Sequence, residues 1–403
     1  MSDLRKNKKQ VIIKTVVAVT FFALLITLVV FLNYDRFTYE QKGNNVTEYE
    51  KVKVTKITEE NLYPNEKYED TIVGKQIIEV ELLTGRYKGK IMPVENFSSP
   101  LNYNIIVKEG DIMYGRVYTV TNNEGKTNTT VTLYSYNRIA VLIAISLLFI
   151  ALTVIIGGKR GLMSILGLAF TMLSIFFVLV PLVLKGFYAV PATIGILAIS
   201  TLVCFYLLGG WQTKIVSAAL GTVGGVVIAG VLSALAGYFC HISGNNMDEA
   251  ESLYLYADGY INVKGLFICG ILIASVGAIM DVAMSIASAI DEVYTVDNTL
   301  TSKQLFKSGM NIGRDAMGTM TNTLILAFAG SYLNIIIYVY QINAHPNFIF
   351  NDSNITIEVI RGIAGSIGII GTVPLVAFIS SILTVKIRGR KGNKKNKTAE
   401  ATK

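Results

Sequence analysis

Long apolar runs constrain the fold of this chain more than any other feature. Each run is close to the ~20 residues that a bilayer-spanning helix needs. The eight runs are Val11–Leu32, Ile139–Ile156, Leu162–Leu184, Ala192–Leu208, Ile215–Phe239, Leu266–Ile290, Ala316–Tyr340 and Ile363–Val385. Inside hydrocarbon every backbone amide must be hydrogen-bonded within the protein, so these runs must be helical. The sequence therefore predicts a polytopic α-helical membrane protein with about eight transmembrane helices.

The distribution of charge predicts the orientation of the chain. The net charge is +8, but residues 1–10 carry +3 and residues 386–403 carry +7, which leaves −2 for everything between them. Basic ends beside apolar helices are typical of cytoplasmic termini. The basic ends are expected to bind anionic lipid headgroups, and no nucleic-acid partner is expected. Both termini are thus predicted to be cytoplasmic, and the excess of basic residues in the predicted inner loops agrees with this.

Five regions follow from these runs. Residues 1–10 are a cytoplasmic basic N-terminus, 11–32 an uncleaved transmembrane anchor, 33–137 an extracytoplasmic domain, 138–385 a seven-helix membrane core, and 386–403 a cytoplasmic basic tail.

Residues 33–137 have the pattern of a β domain. Stretches such as Gln76–Leu82 alternate polar and apolar residues and are rich in Val and Ile, which is typical of half-buried strands. Glycines and an Asn-Asn-Glu-Gly segment mark the turns between them. Six to eight strands are expected, in a small all-β, OB-like or barrel-like domain. Two roles remain open, a binding domain for an oligosaccharide or peptide and a structural module without a ligand.

Soluble-enzyme motifs are absent from the sequence, so we expect neither catalytic residues nor a cofactor. The only histidines, His241 and His345, fall in predicted outer loops, where a shared metal site is disfavoured. The three cysteines have no metal-binding spacing. Cys240 and Cys269 both fall near the predicted outer face, which leaves open whether they pair; otherwise they are small buried hydrophobic residues.

An aspartate lies deep inside one predicted span. Asp281 is about 14 Å from the inner end of its run, at ~1.5 Å per residue. It shares a helical face with small and polar residues: Ala274, Ala278, Ser285, Ser288 and Glu292. An intramembrane carboxylate normally faces a bundle interior or a water-filled path. We interpret Asp281 as a functional residue; the alternative is a structural hydrogen bond between two helices.

The following span places a second polar group near this depth. One face of its helix carries Asp315, Gly318, Thr319, Asn322 and Ala329, with Asn322 ~9 Å from the cytoplasmic end. Because the two helices are consecutive and antiparallel, the sequence predicts a hydrogen-bonded cluster of Asp281, Asn322 and Thr319.

The last span is rich in glycine. Gly362, Gly365, Gly368 and Gly371 recur every third residue, which favours close helix packing or a bend before Pro374. Arg361 lies too near the outer end to pair with Asp281. It is expected to extend outward to Glu358, Asp258 or lipid headgroups.

Two connecting segments are predicted to be ordered. Thr301-Ser302-Lys303-Gln304 is typical of a capping box that opens a short helix along the cytoplasmic interface. On the other side, Asn246–Asp258 indicates a short acidic helix, either a solvated face or a cation-attracting vestibule.

Three segments, GAIMDVAMSIASAIDE, GRDAMGTMTNTLILAFAG and RGIAGSIG…VP, resemble the YibE/YibF-like family of bacterial multi-pass membrane proteins. The resemblance covers approximately residues 139–385 and implies a bacterial cytoplasmic membrane protein without identifying a substrate. From the polar residues inside the predicted spans we expect a permease for a small solute or ion, with Asp281 and Asn322 in its site. The alternative is a membrane scaffold or envelope regulator whose outer β domain binds a partner. Self-association into a homo-oligomer remains open.

Overall fold

The computed structural model describes residues 26–33, 45–65, 71–98, 105–121, 127–242, 244–247, 250–256 and 263–400. The chain forms two compact units. One unit is Arg36–Leu152, and the other combines Met1–Asp35 with Thr153–Lys403. The first is built on a sheet and the second on helices.

Five antiparallel strands form the sheet of the first unit. They are β1 (Asn45–Pro64), β2 (Ile72–Leu82), β3 (Ile91–Ser98), β4 (Ile112–Thr121) and β5 (Thr127–Tyr136), in the order β3-β2-β1-β4-β5. β1 is twenty residues long and pairs with β2 through its second half and with β4 through its first. The sheet curls until β3 approaches β5. The all-β prediction is confirmed, but six to eight strands were too many for the described part of the domain because β1 is a single long, curled strand.

Alternation places the apolar core of this unit on one face of the sheet. Val52 and Val54 of β1 and Ile78, Val80 and Leu82 of β2 are almost fully buried, as the period of two predicts. A buried cluster of hydrogen bonds around Gln76 lies on the same side of the sheet. Gln76 donates to the Val107 carbonyl oxygen at 3.0 Å and accepts from the Val107 N–H at 3.2 Å, while Asn96 donates to the Gln76 side chain at 3.2 Å.

Ten helices follow. They are α1 (Ile139–Ser174), α2 (Val180–Leu184), α3 (Ala189–Gly209), α4 (Thr213–Phe239), α5 (Ala250–Tyr256), α6 (Leu266–Val296), α7 (Ser302–Ser331), α8 (Leu333–Gln341), α9 (Pro346–Asn351) and α10 (Ser353–Glu400). A π-helix, Ile175–Leu179, joins α1 to α2, and 3₁₀ turns occupy Gly244–Asn246 and Val263–Gly265. Residues 26–32 are also helical.

Five helical stretches of the described residues are long and apolar enough to cross a membrane, or six if α7 and α8 form one bent span. The first, Ile139–Leu184, has 46 residues and would be about 69 Å long if straight, far more than a ~30 Å hydrocarbon core. It is broken at Gly158, whose φ of 53° and ψ of −134° are not helical. A methyl group on Gly161 would lie 2.1 Å from the Thr153 carbonyl oxygen. Eight residues of straight helix span ~12 Å, so the chain folds back at Gly158.

Helix α10 packs against α4, α6 and α7, and glycines bring these helices together. A methyl group on Gly221 of α4 would lie 2.0 Å from the Val376 side chain, and one on Gly368 would lie 2.8 Å from Ala229. The buried core between the helices is aliphatic, with Ile279, Ile286 and other α6 residues fully enclosed.

The predicted capping box at Thr301 is confirmed. The Thr301 hydroxyl accepts from the Gln304 N–H, and the Gln304 side chain accepts from the Thr301 N–H. However, the prediction of a short interfacial helix is wrong, because α7 continues without a break to Ser331. Gly309 and Gly313 let it pack closely on α6, so its first half belongs to the bundle. Before it, Asp297 accepts hydrogen bonds from the Thr299 N–H and hydroxyl, which hold the pKa of that carboxyl below its usual value.

Candidate intramembrane polar face

Asp281 is the middle residue of α6, fifteen residues from each end of the helix. The Asp281 side chain is exposed, and it has no hydrogen-bond or ion-pair partner among the described residues. The aliphatic residues of α6 cover the opposite side, because Ile279, Val282 and Ile286 are fully buried. The predicted helical face therefore exists, but it points away from the core of the bundle.

The polar residues of α7 also lie on an open face. Asp315, Thr319 and Asn322 are exposed, and the Thr319 hydroxyl donates to the Asp315 backbone carbonyl oxygen at 3.0 Å. In the part of the chain that the structure describes, no hydrogen bond joins Asp281 to Asn322 or Thr319. The structure thus brings the three residues to adjacent helices without linking their side chains.

Packing contacts fix the relative depth of these groups. A methyl group on Gly313 of α7 would lie 3.0 Å from Ile286 of α6, and Leu324 and Ser275 both lie against Gly365 of α10. Since the helices are antiparallel, Asp281 is level with Gly318 and about four residues from the level of Asn322, or ~6 Å along the axis. The space around Gly318 is open, because a methyl group there would meet nothing within 4 Å.

The other polar residues of the predicted α6 face are also exposed or half-buried. Ser285 and Glu292 are exposed and Ser288 is half-buried. Asp291, which the sequence did not single out, is the carboxylate that α6 does bury, at 7% exposure. Its position one residue before Glu292 turns it ~100° toward the core, on the same side as the fully buried Ala287 four residues earlier.

Arg361 pairs with Glu358, one of the three partners that the sequence left open. Glu358 is 11% exposed and Arg361 is 23% exposed, and the guanidinium lies 5.8 Å from the centre of the Phe328 ring. Glu358 Oε2 and Arg361 Nε are buried and have no hydrogen-bond partner among the described residues. Asp258, another of the three proposed partners, lies outside the described residues.

A bent helix pair and a groove lie next to this ion pair. α7 and α8 meet at Tyr332 with a bend of 58°. A groove of about 450 Å³ lies beside the bend and is almost entirely apolar, with Phe328, Tyr332, Tyr340 and Val359 among its walls and Glu358 as its charged residue. Broken helices inside a membrane are often found next to transport sites.

Three of the four predicted packing glycines make close contacts. Methyl groups on Gly365, Gly368 and Gly371 would lie 2.8–2.9 Å from neighbouring side chains, whereas one on Gly362 would make only ordinary contacts at 3.9 Å. Gly368 and Gly371 face α4, and Gly365 faces α6 and α7. α10 continues as one helix through Pro374.

Among the described residues no group of His, Cys, Asp and Glu side chains could hold a metal ion. Cys204, Cys240 and Cys269 are all free, so the structure does not pair the last two.

The chain was compared with known protein families, curated proteins and solved structures. The family described as "YibE/F-like protein" matches residues 145–386, which is the helical part of the chain. No curated protein and no solved structure matches the chain.

Proposed function

The chain belongs to the YibE/F-like family, and from this premise we propose that it is a membrane permease for a small solute or ion. In this proposal the chain crosses the bacterial cytoplasmic membrane about eight times, with both termini cytoplasmic and the β unit outside. The polar face of Asp281, Ser285, Ser288, Thr319 and Asn322 forms part of the permeation path.

The observation that carries the proposal is the position of Asp281. It is an unpaired carboxylate at the middle of an apolar helix, and a charged group there costs ~2.5–3.5 kcal/mol or more if it faces lipid. Such residues persist mainly where they meet a polar path or a partner. The open spaces around Gly277 and Gly318 leave room for a solute or water beside the carboxylate.

The test is transport by the purified full-length protein in liposomes, with a panel of ions and small metabolites. Asp281→Asn preserves shape and hydrogen bonding and removes the charge, so the flux of the transported species should fall to background. Asn322→Leu should reduce the flux only partly, because it changes the shape of the path and leaves the carboxylate.

Asp297→Asn is the matched control. It removes a carboxylate from the exposed turn between α6 and α7 and should leave the flux unchanged. Full transport by Asp281→Asn would overturn this assignment and leave Asp281 a structural residue.

A second candidate function is that of a scaffold or envelope regulator, and one surface of the β unit favours it. The Arg116 guanidinium lies 5.6 Å from the Tyr49 ring centre and 5.4 Å from that of Tyr134, and all three side chains are exposed. Aromatic rings around a cation are a common recognition surface. If no solute crosses and Arg116→Ala abolishes capture of an envelope component, the scaffold replaces the permease.

A further inference from the structure

In the described part of the chain, the outward face of α6 and α7 carries charged side chains without ion-pair partners, of which Arg314 donates a 3.4 Å hydrogen bond to Asn311 Oδ1. Asp281 and Glu292 on α6 and Lys307 and Arg314 on α7 are all exposed. Within the described residues none of these four has an ion-pair partner. The exposed amide of Asn322 lies on the same side. Polar groups at membrane depth must be satisfied by protein or water, because lipid tails offer no hydrogen bonds.

The charges are segregated between the two helices. Asp281 and Glu292 are eleven residues apart, which is three turns, and both lie on the exposed face of α6. Lys307 and Arg314 are seven residues apart, which is two turns, and both lie on the exposed face of α7. α6 therefore offers two carboxylates and α7 two cations, with the exposed carboxylate of Asp315 beside Arg314 on α7.

The depths of the opposite charges match. A methyl group on Gly309 would lie 2.6 Å from Ile290, which places Lys307 at the level of Glu292. The contact between Gly313 and Ile286 places Arg314 level with Ser285, four residues or ~6 Å from the level of Asp281. The long arginine side chain covers that offset.

From this geometry we infer that the α6/α7 face is an interface with a second copy of the chain. Copies inserted in the same orientation present equal residues at equal depths, and a two-fold axis along the membrane normal lays α6 of each copy on α7 of the other. Asp281 then meets Arg314 of the second copy, and Glu292 meets Lys307. The inference does not depend on transport, since a scaffold would need the same cover for these charges; in a permease, the path of the proposed function runs along this interface, beside Asp281.

Cysteine cross-linking tests the interface with the charges intact. Cys204, Cys240 and Cys269 are replaced by alanine in the full chain, and Ser285→Cys is introduced on the face. Leu220→Cys is the depth-matched control, because Leu220 is 53% exposed on α4 and the contact of Gly225 with Ile279 places it near the same level. Oxidation in membranes should give dimers of the Ser285→Cys chain and at most a tenth as many of the control.

Charge exchange tests the pairing. Asp281→Lys and Arg314→Asp should each weaken self-association, because like charges then face each other. Two differently tagged chains, one with each substitution, restore opposite charges at both contacts of a mixed dimer. We expect mixed dimers to exceed dimers of either variant with itself about tenfold on co-purification. Pairing of Asp281 with Arg314 inside one chain gives no such preference.

The result that overturns the inference is equal cross-linking of Ser285→Cys and Leu220→Cys, or a monomer in both. Cross-linking to a different membrane protein instead of to a second copy overturns it as well. Transport is not measured in either experiment, so a failed permease assignment and a failed interface remain distinguishable.

Discussion

The side-chain amide of Asn33 donates a 2.9 Å hydrogen bond to the carbonyl oxygen of Phe177. Pro181, four residues after Phe177, has no N–H to offer that carbonyl. Asn33 is 2% exposed, and its amide also donates to the Val29 carbonyl oxygen at 2.8 Å. A single side chain thus ties the end of the first described helix to the π-helical segment before α2.

Asn33→Leu should lower the thermal stability of the full-length protein in detergent. It removes the donor to a buried carbonyl, which costs ~1–3 kcal/mol. In a Pro181→Ala background the helix regains its own N–H donor, so the same substitution should cost less. An equal cost in the two backgrounds would show that Asn33 stabilises the protein by some other contact.

Gly225→Ala should destabilise the helical unit. A methyl group on Gly225 would lie 1.8 Å from the Thr372 hydroxyl oxygen, which is fixed by its hydrogen bond to the Gly368 carbonyl oxygen, and 3.0 Å from Ile279. Overpacking of this kind costs ~1–3 kcal/mol. Gly195→Ala on α3 is the control, because a methyl group there meets nothing within 4 Å. Thermal unfolding of both variants checks the prediction, and equal melting temperatures would contradict it.

Arg361→Met should be more damaging than a change at an exposed ion pair. It leaves the Glu358 carboxylate, which is only 11% exposed, without its cation, and breaking a buried pair costs ~3 kcal/mol. Adding Glu358→Gln removes the stranded charge and should recover part of the loss. Glu95→Gln is the control in the exposed Lys75–Glu95 pair and should cost less than ~1 kcal/mol. The comparison requires melting curves for all four proteins; a double variant no more stable than Arg361→Met would contradict the explanation.

Residues 36–137 should fold without the helices, because the described core of the sheet is complete within Arg36–Leu152. In this fragment Gln76→Leu leaves the Val107 N–H and carbonyl without partners and should cost ~2–3 kcal/mol. Asn128→Leu, on exposed β5, should change stability by less than ~0.5 kcal/mol. Circular dichroism melts measure both. A fragment with no cooperative transition would mean that the sheet folds only together with the helical unit.

The proposed orientation predicts which positions a membrane-impermeant thiol reagent reaches in intact cells. Single cysteines at Lys88 and His345, both exposed, should react from outside, and one at Lys303 should react only after the cells are opened. Labelling at 303 in intact cells without labelling at 88 would reverse the topology.

Local arithmetic along one helix was enough to predict some of these features. Arg361 and Glu358 are three residues apart and Thr301 and Gln304 form a capping box, so both contacts depend only on short spacing. The same arithmetic placed Asp281 and Ser285 on one face. It could not give the direction of that face, because the direction depends on which helices pack against α6, and those contacts lie far apart in sequence.

The extent of α7 was missed for a different reason. Lys307 and Arg314 interrupt the apolar run, so hydropathy places the start of the span after them. The packing surface is made instead by Gly309 and Gly313, whose lack of a side chain lets Ile290 and Ile286 approach. Hydropathy scales do not register helix contacts that depend on the absence of a side chain.

The length of β1 determines when each of its halves can pair during synthesis of the β unit. Its second half can pair with β2 at once, but its first half must wait for β4, about forty residues later. At ~5–20 residues per second this is a delay of roughly 2–8 s for a nascent chain. Throughout it, the unpaired edge presents Glu48, Lys51 and Lys53, and charged side chains discourage pairing with another nascent chain. Neutral residues at these three positions would therefore lower the yield of folded protein from the ribosome far more than the stability of the molecules that complete the sheet.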